Sequence, residues 1–123
     1  LNDLFKLIAK HNCDVIITTD HGTIKVNEPS KVVGDRNTNS NLRYKQGKNL
    51  NYNNKDVLAI RNPKDAFLPR LNVSSTYLFA KESKFFVYPN NYNYYVNYFK
   101  NTFQHGGISM EEMIIPFVHL SSK

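Results

Sequence analysis

The chain has 123 residues, of which 41% are hydrophobic and 21% are charged, and its formal net charge is +6. This length suits one domain with a modest core, and no apolar run is long enough for a membrane-spanning helix. The single cysteine, Cys13, cannot form an internal disulfide, which favours a cytoplasmic protein without a role in the membrane.

The first predicted element is an amphipathic helix in residues 1–12, LNDLFKLIAKHN, where Leu1, Leu4, Phe5 and Ile8 recur at helical spacing. A strand follows in DVIITTDHG, residues 14–22. A helix that leads into an apolar strand is half of an α/β unit, so we expect an α/β fold.

This first strand ends on two potential metal ligands, Asp20 and His21. A continuous apolar run is typical of a parallel strand covered by helices on both faces, and ligands bind beyond the carboxyl ends of such strands. Gly22, which tolerates positive φ, lets both side chains reach one point. The two residues could hold a zinc-like ion. Alternatively, Asp20 caps a turn beside a solvated histidine.

Positive charge is concentrated in the middle of the chain. TIKV, residues 23–26, predicts a short strand, and the polar, Asn-rich stretch from about 27 to 54 predicts a long loop. Residues 25–70 contain ten Lys and Arg against four Asp and Glu, so this window carries the whole net charge. It suits an anionic partner, phosphate or nucleic acid, although a solvated basic loop is the simpler alternative.

Three further strands are predicted in DVLAI, STYLFA and KFFVY, residues 56–60, 75–80 and 84–88, with the last two forming a hairpin. NNYNYYVNYFKN, residues 90–101, predicts a helix with an Asn N-cap. Its aromatic face could stack bases, but helical spacing favours core packing. That face consists of Tyr92, Tyr95, Val96 and Phe99.

The second motif that indicates a site is HGG, residues 105–107. It precedes a predicted capping box from Ser109 to Glu112 and a predicted apolar strand over 113–120. Glycines after a histidine let the backbone approach whatever the imidazole binds. Glu112 could support His105, but its capping role explains it without a metal. The two histidine motifs together indicate a metal site.

Residues 18–22, TTDHG, and 105–117, HGGISMEEMIIPF, with KVVGDRNTNSNLRYKQGKNL between them, resemble the PglZ domain of the alkaline phosphatase superfamily. The resemblance is closest to the version carried by PorX-type response regulators of the type IX secretion system. It covers essentially the whole chain and implies a mostly parallel sheet flanked by helices.

The resemblance also implies a site with two zinc-like ions. Asp20 and His21 would bind the ion that holds a Ser or Thr nucleophile, and His105 would bind the ion that activates the attacking water. Such a pair of ions clamps the attacking and leaving oxygens of a phosphoryl displacement. The basic segment would bind an oligonucleotide-like phosphodiester substrate through Arg36, Arg43, Lys45 and Lys48.

The family's nucleophile, its early metal-binding Asp and its D-x-x-x-H pair all precede the equivalent of Asp20, where this sequence has only nineteen residues. We therefore expect residues 1–123 to be the C-terminal segment of one such domain, with no nucleophile of its own. The segment alone would be inactive. By resemblance, a receiver domain precedes it in the same chain.

Three functions remain open. The first is a segment of a cytoplasmic, zinc-dependent phosphodiesterase or phosphatase attached to a two-component signalling protein. The second is a non-catalytic domain that contacts a transcription or secretion partner through its basic face. The third is a nucleic-acid-binding module, whose binding would depend on salt and be untouched by chelation.

Overall fold

The structure, a computed structural model, describes residues 1–11, 13–70 and 72–121. The helices and strands are α1 (Asn2–Ile8), β1 (Val15–Thr18), β2 (Ile24–Lys25), β3 (Glu28–Lys31), β4 (Tyr44–Gly47), β5 (Val57–Ile60), β6 (Thr76–Ala80), β7 (Lys84–Val87), α2 (Tyr92–Phe99), β8 (Phe103–Gln104), α3 (Met110–Met113) and β9 (Phe117–Leu120). A 3₁₀ helix, Pro63–Ala66, follows β5. Within the described ranges, no helix has the length and hydropathy needed to cross a membrane.

The strands form small sheets instead of one large one. β6 is the centre of a three-stranded antiparallel sheet between β4 and β5, while β1 pairs with β9 and β2 with β8, both antiparallel. Among the described strands, β3 and β7 make the single parallel pairing. The mostly parallel sheet that we expected is therefore not seen in these residues. The expectation failed because apolar composition predicts a strand but not the direction of its partner.

Strand β7 is buried on both faces. Its side chains alternate across the strand, so Phe86 packs with Val32 and Leu78 in one core cluster while Phe85 packs with Val26 in the other. A continuous apolar run predicted a parallel strand covered on both faces at β1, but the strand with these properties is β7. β1 itself is exposed on its apolar residues, with Ile16 at 59%.

Helix α2 covers the second core cluster, as its spacing predicts. Tyr92, Val96 and Phe99 pack against that cluster, whereas Tyr95 stays 40% exposed. Asn91 occupies the N-cap position, but its side chain makes no capping hydrogen bond.

Two predicted features of the middle of the chain are wrong. The stretch 27–54 is not a structureless loop, because it contains β3, β4 and a bridge between Val33 and Asn51. β6 and β7 do not form a hairpin, since β6 pairs with β4 and β5 while β7 pairs with β3. Both errors concern pairings between residues far apart in sequence, which local patterns do not encode. The predicted first helix extended to Asn12, which lies outside the described residues.

Candidate functional site

The structure brings the two predicted histidines together. His21 lies three residues before β2 and His105 directly follows β8, and the antiparallel register pairs Ile24 with Gln104. The imidazole rings of His21 and His105 stack face to face, with their centroids 3.8 Å apart and their planes 5° from parallel. Two motifs that are 84 positions apart in sequence therefore meet at one point.

Asp20 lies beside the same pair. Its Oδ1 is 3.7 Å from His21 Nε2, while His21 Nδ1 is 2.9 Å from the carbonyl oxygen of Gly22. Because a carbonyl only accepts hydrogen bonds, Nδ1 carries the proton when the ring is neutral, which leaves the Nε2 lone pair on the side of Asp20. This is the arrangement in which an imidazole binds a metal.

These three side chains fit metal ions by chemistry and spacing. An ion at about 2.0–2.2 Å from nitrogen and oxygen can bridge atoms up to about 4 Å apart, which the separation of His21 Nε2 and Asp20 Oδ1 satisfies. Within residues 1–11, 13–70 and 72–121, however, no group of three or more His, Cys, Asp or Glu is arranged around one ion.

Glu112 on α3 holds both histidine motifs and the middle segment. Its main-chain oxygen accepts the N–H of Gly22 at 2.9 Å, and its Oε1 accepts the N–H of Gly107 at 2.9 Å. The same carboxylate pairs in two-pronged geometry with Arg43, whose Nε lies 2.9 Å from Oε1 and whose Nη2 lies 3.0 Å from Oε2. Both residues are buried, with Arg43 at 0% exposure. This pair therefore fixes the loops that carry His21 and His105.

The Glu112 carboxylate is stabilised in its charged form. Burial alone raises the pKa of this group, but the hydrogen bonds from Arg43 and from the N–H of Gly107, with the Arg43 charge and the Ser109 contact, hold the pKa below its ordinary value. The Glu112 half of the predicted capping box is confirmed, since the N–H of Ser109 donates to Glu112 Oε2 at 3.2 Å, while Ser109 Oγ has no hydrogen-bond partner among the described residues. The Glu112 carboxylate has a second role that the capping pattern does not indicate, because it also forms an ion pair with Arg43.

Glycine is required at position 22 because the main chain of α3 lies too close for a side chain, not because of the backbone angle of Gly22. A Cβ at this position would collide with the main-chain oxygen of Glu111. The prediction that Gly22 adopts positive φ is wrong, since Gly106, at φ +99°, is the glycine in that region among the described residues. The strand end and α3 thus touch at Gly22, while the turn after His105 depends on Gly106.

Asn41 is a further positioning residue, which no motif in the sequence indicates. Its Oδ1 accepts the main-chain N–H groups of Arg43, at 2.7 Å, and Tyr44, at 3.1 Å, while its Nδ2 lies 3.4 Å from the main-chain oxygen of His105. It joins the start of β4 to the histidine turn. Because the surrounding segment is rich in Asn, no local signal distinguishes this one.

The four basic residues predicted to bind substrate lie in different environments. Arg36 and Lys48 are exposed. Arg43 is buried against Glu112 and also donates through Nη1 to the main-chain oxygen of Lys84, so it does not present a charge to solvent. Lys45 is half-buried and donates from Nζ to the main-chain oxygen of Asn39 at 2.7 Å.

Comparison with known proteins identifies the family. The model of the BREX system PglZ alkaline phosphatase-like domain matches residues 1–120. Among curated proteins, none matches the chain significantly. The match spans both histidine motifs and the segment that carries Asn41 and Arg43, and the chain therefore belongs to the PglZ family of alkaline phosphatase-like domains.

Proposed function

We propose that this chain is the C-terminal segment of a metal-dependent phosphodiesterase or phosphatase domain, with Asp20, His21 and His105 as metal ligands. The observation that carries the proposal is the stacking of His21 on His105 with Asp20 alongside. Family membership makes the chain part of a phosphoesterase superfamily that generally uses metal ions. In the proposed site, Asp20 and His21 hold one ion and His105 a second.

Zinc is the ion we propose, because Asp oxygen and His nitrogen are ligands that it accepts. Bound zinc would polarise the phosphoryl oxygen and supply a water of lowered pKa. The chain's own contribution is to hold the ligands: the Glu112 and Arg43 pair fixes both loops, and the Nδ1 contact of His21 with Gly22 directs its Nε2 towards Asp20.

Exposed apolar surface supports the proposal that these residues are one part of a larger domain. β1 and β9 pair only with each other among the described strands, yet Ile16, Phe117 and Val118 are exposed. Helix α1 has no buried residue, and its apolar side chains Leu4 and Leu7 are both more than half exposed. Apolar faces of this kind are covered in a complete domain.

We expect residues 1–123 alone to show no phosphodiesterase turnover, even with excess zinc. At most two of the proposed ligands serve one ion, and a catalytic zinc ordinarily has three protein ligands. The measurement is a steady-state assay of the purified segment with a chromogenic phosphodiester, beside the intact protein. Metal-dependent turnover by the segment that His105→Ala abolishes would contradict its assignment as an incomplete site.

The proposed substrate class is oligonucleotide-like, and Arg36 and Lys48 are the cations placed to contact its phosphates. They lie on neighbouring loops, since Gly34 and Gly47 both pack against Thr38.

We also propose, on the resemblance alone, that the parent protein is a cytoplasmic response regulator. It would carry a receiver domain upstream and have a transcription or secretion-regulatory partner in type IX secretion.

Replacing Arg36 and Lys48 together by glutamine is expected to weaken oligonucleotide binding and spare a small aryl phosphodiester. Each lost phosphate contact should lower the slope of log affinity against log salt by about 0.7 for a single strand. The matched control replaces Lys81 and Lys100, two exposed lysines outside the basic window. An equal slope in the two double variants would show that the basic loops make no phosphate contacts.

A further inference from the structure

A cavity lies beside the segment that carries Asn41 and Arg43. Its volume is about 450 Å³, and its walls come from residues 32–45, from β7 with Tyr88 and Asn90 after it, and from α2. Asp20, His21 and His105 do not line it. Most of the lining is apolar or aromatic, including Leu42, Phe86, Tyr88, Tyr95 and Phe99. Sites for small organic ligands have this size and this character.

One cation, Lys45, lines the cavity without forming an ion pair among the described residues. Lys45 Nζ donates to the main-chain oxygen of Asn39, and no described carboxylate lies within 4.0 Å of it. Asp35 also lines the cavity, but its Oδ1 accepts the N–H of Asn37 at 3.0 Å. Burial lowers the pKa of the Lys45 ammonium to about 8, so the group is still mostly charged at pH 7.

Asn39 adds an unpaired donor to the same wall. Its Oδ1 accepts the N–H of Gln46 at 3.0 Å, which fixes the orientation of the amide. Its Nδ2 is buried and has no hydrogen-bond partner among the described residues. A buried donor without a partner costs about 1–3 kcal/mol. This donor is enclosed by protein atoms, so the Lys45 ammonium is the donor in this wall that can receive an acceptor from a ligand.

We propose that this cavity binds a small aromatic anion, with its ring against Tyr95 and Phe99 and its anionic group on Lys45. A ring matches the aromatic wall, and one anionic group matches one ammonium. Both nucleoside monophosphates and aromatic carboxylates have this chemistry. The site is separate from the proposed metal ligands and does not depend on the proposed phosphodiesterase function.

The test is calorimetric titration of the intact protein with four probes: adenosine monophosphate, indole-3-carboxylate, inorganic phosphate and adenosine. At least one of the two aromatic anions should bind at least tenfold more tightly than either phosphate or adenosine, and which one binds identifies the source. Lys45→Gln should weaken that binding at least tenfold, whereas Lys55→Gln, which removes an exposed lysine outside the cavity, should change it less than twofold.

Three more variants test where the ligand binds. Tyr95→Ala removes a partly exposed wall residue and should weaken binding several-fold, while Tyr94→Ala, its exposed neighbour outside the lining, should not. His105→Ala should leave the affinity within twofold. The proposal is overturned if neither aromatic anion binds at millimolar concentration, if the two lysine variants behave alike, or if His105→Ala abolishes binding, which would place the ligand at the histidine pair.

Discussion

Replacing His105 by alanine is expected to lower the phosphodiesterase activity of the intact protein by at least about 1,000-fold, since loss of a metal ligand removes several kcal/mol of transition-state stabilisation. The free energy of unfolding should change by less than about 1 kcal/mol, because His105 is an exposed residue in a loop. The measurements are steady-state kinetics, zinc content and urea unfolding of the same preparations. His21→Ala should behave in the same way.

His119→Ala is the matched control for these variants. His119 is partly exposed on β9, where its Nε2 lies 3.2 Å from Asp14 Oδ2, and it has no place in the proposed site. Its replacement should leave zinc content and turnover within twofold of the wild type. If His105→Ala retained wild-type turnover without bound metal, His105 would not be a ligand of the working site.

Replacing Arg43 by methionine is expected to destabilise the intact protein by about 3–5 kcal/mol, because it leaves the Glu112 carboxylate buried without its guanidinium partner. Glu112→Gln should have a comparable effect by leaving Arg43 unpaired. Activity should fall in any variant that still folds, since Glu112, which binds the N–H groups of Gly22 and Gly107, is no longer held in place by its ion-pair partner. Urea unfolding and turnover at matched folded fraction measure the two effects separately.

Arg61→Met, at an exposed arginine, is the control and should change stability by less than about 0.5 kcal/mol. The double variant Arg43→Met/Glu112→Leu should be more stable than Arg43→Met, because it removes the stranded charge. A destabilisation by Arg43→Met no larger than that by Arg61→Met would refute the structural role of the pair.

The pH dependence of stability gives an independent check on Glu112. Its folded-state pKa lies below the ordinary value of 4.5, so its contribution to stability is complete above about pH 4.5 and is lost as the pH falls through the lowered folded value. Glu112→Gln should flatten the stability curve in that acid range. Equal acid sensitivity in the wild type and this variant would contradict the charge pairing with Arg43.

The elements of this fold could be predicted from local sequence, whereas their pairings could not. The apolar runs at β1 and β7 and the helical spacing at α2 each predict the observed element. The parallel pairing of β3 with β7 and the antiparallel pairing of β1 with β9 join residues far apart along the chain. No period-2 or period-3.6 pattern carries information on such partners.

The candidate site divides in the same way. Asp20, His21 and His105 could be singled out from their positions at a strand end and before paired glycines, but the ring stack depends on the register of β2 with β8. In the sequence, nothing distinguishes Arg43 from the exposed cations Arg36 and Lys48 in the same basic segment. Its burial follows from the position of Glu112, 69 residues later, which composition and charge counts do not reveal.

The most direct test of the proposed metal site is zinc-edge anomalous diffraction from crystals of the intact protein grown with zinc. The proposed site predicts two anomalous peaks about 4 Å apart, one within about 2.2 Å of Asp20 and His21 and one within about 2.1 Å of the His105 imidazole. Crystals of His105→Ala should lose the second peak. Zinc bound elsewhere in an active protein, with no peak in bonding distance of these three side chains, would contradict the proposal.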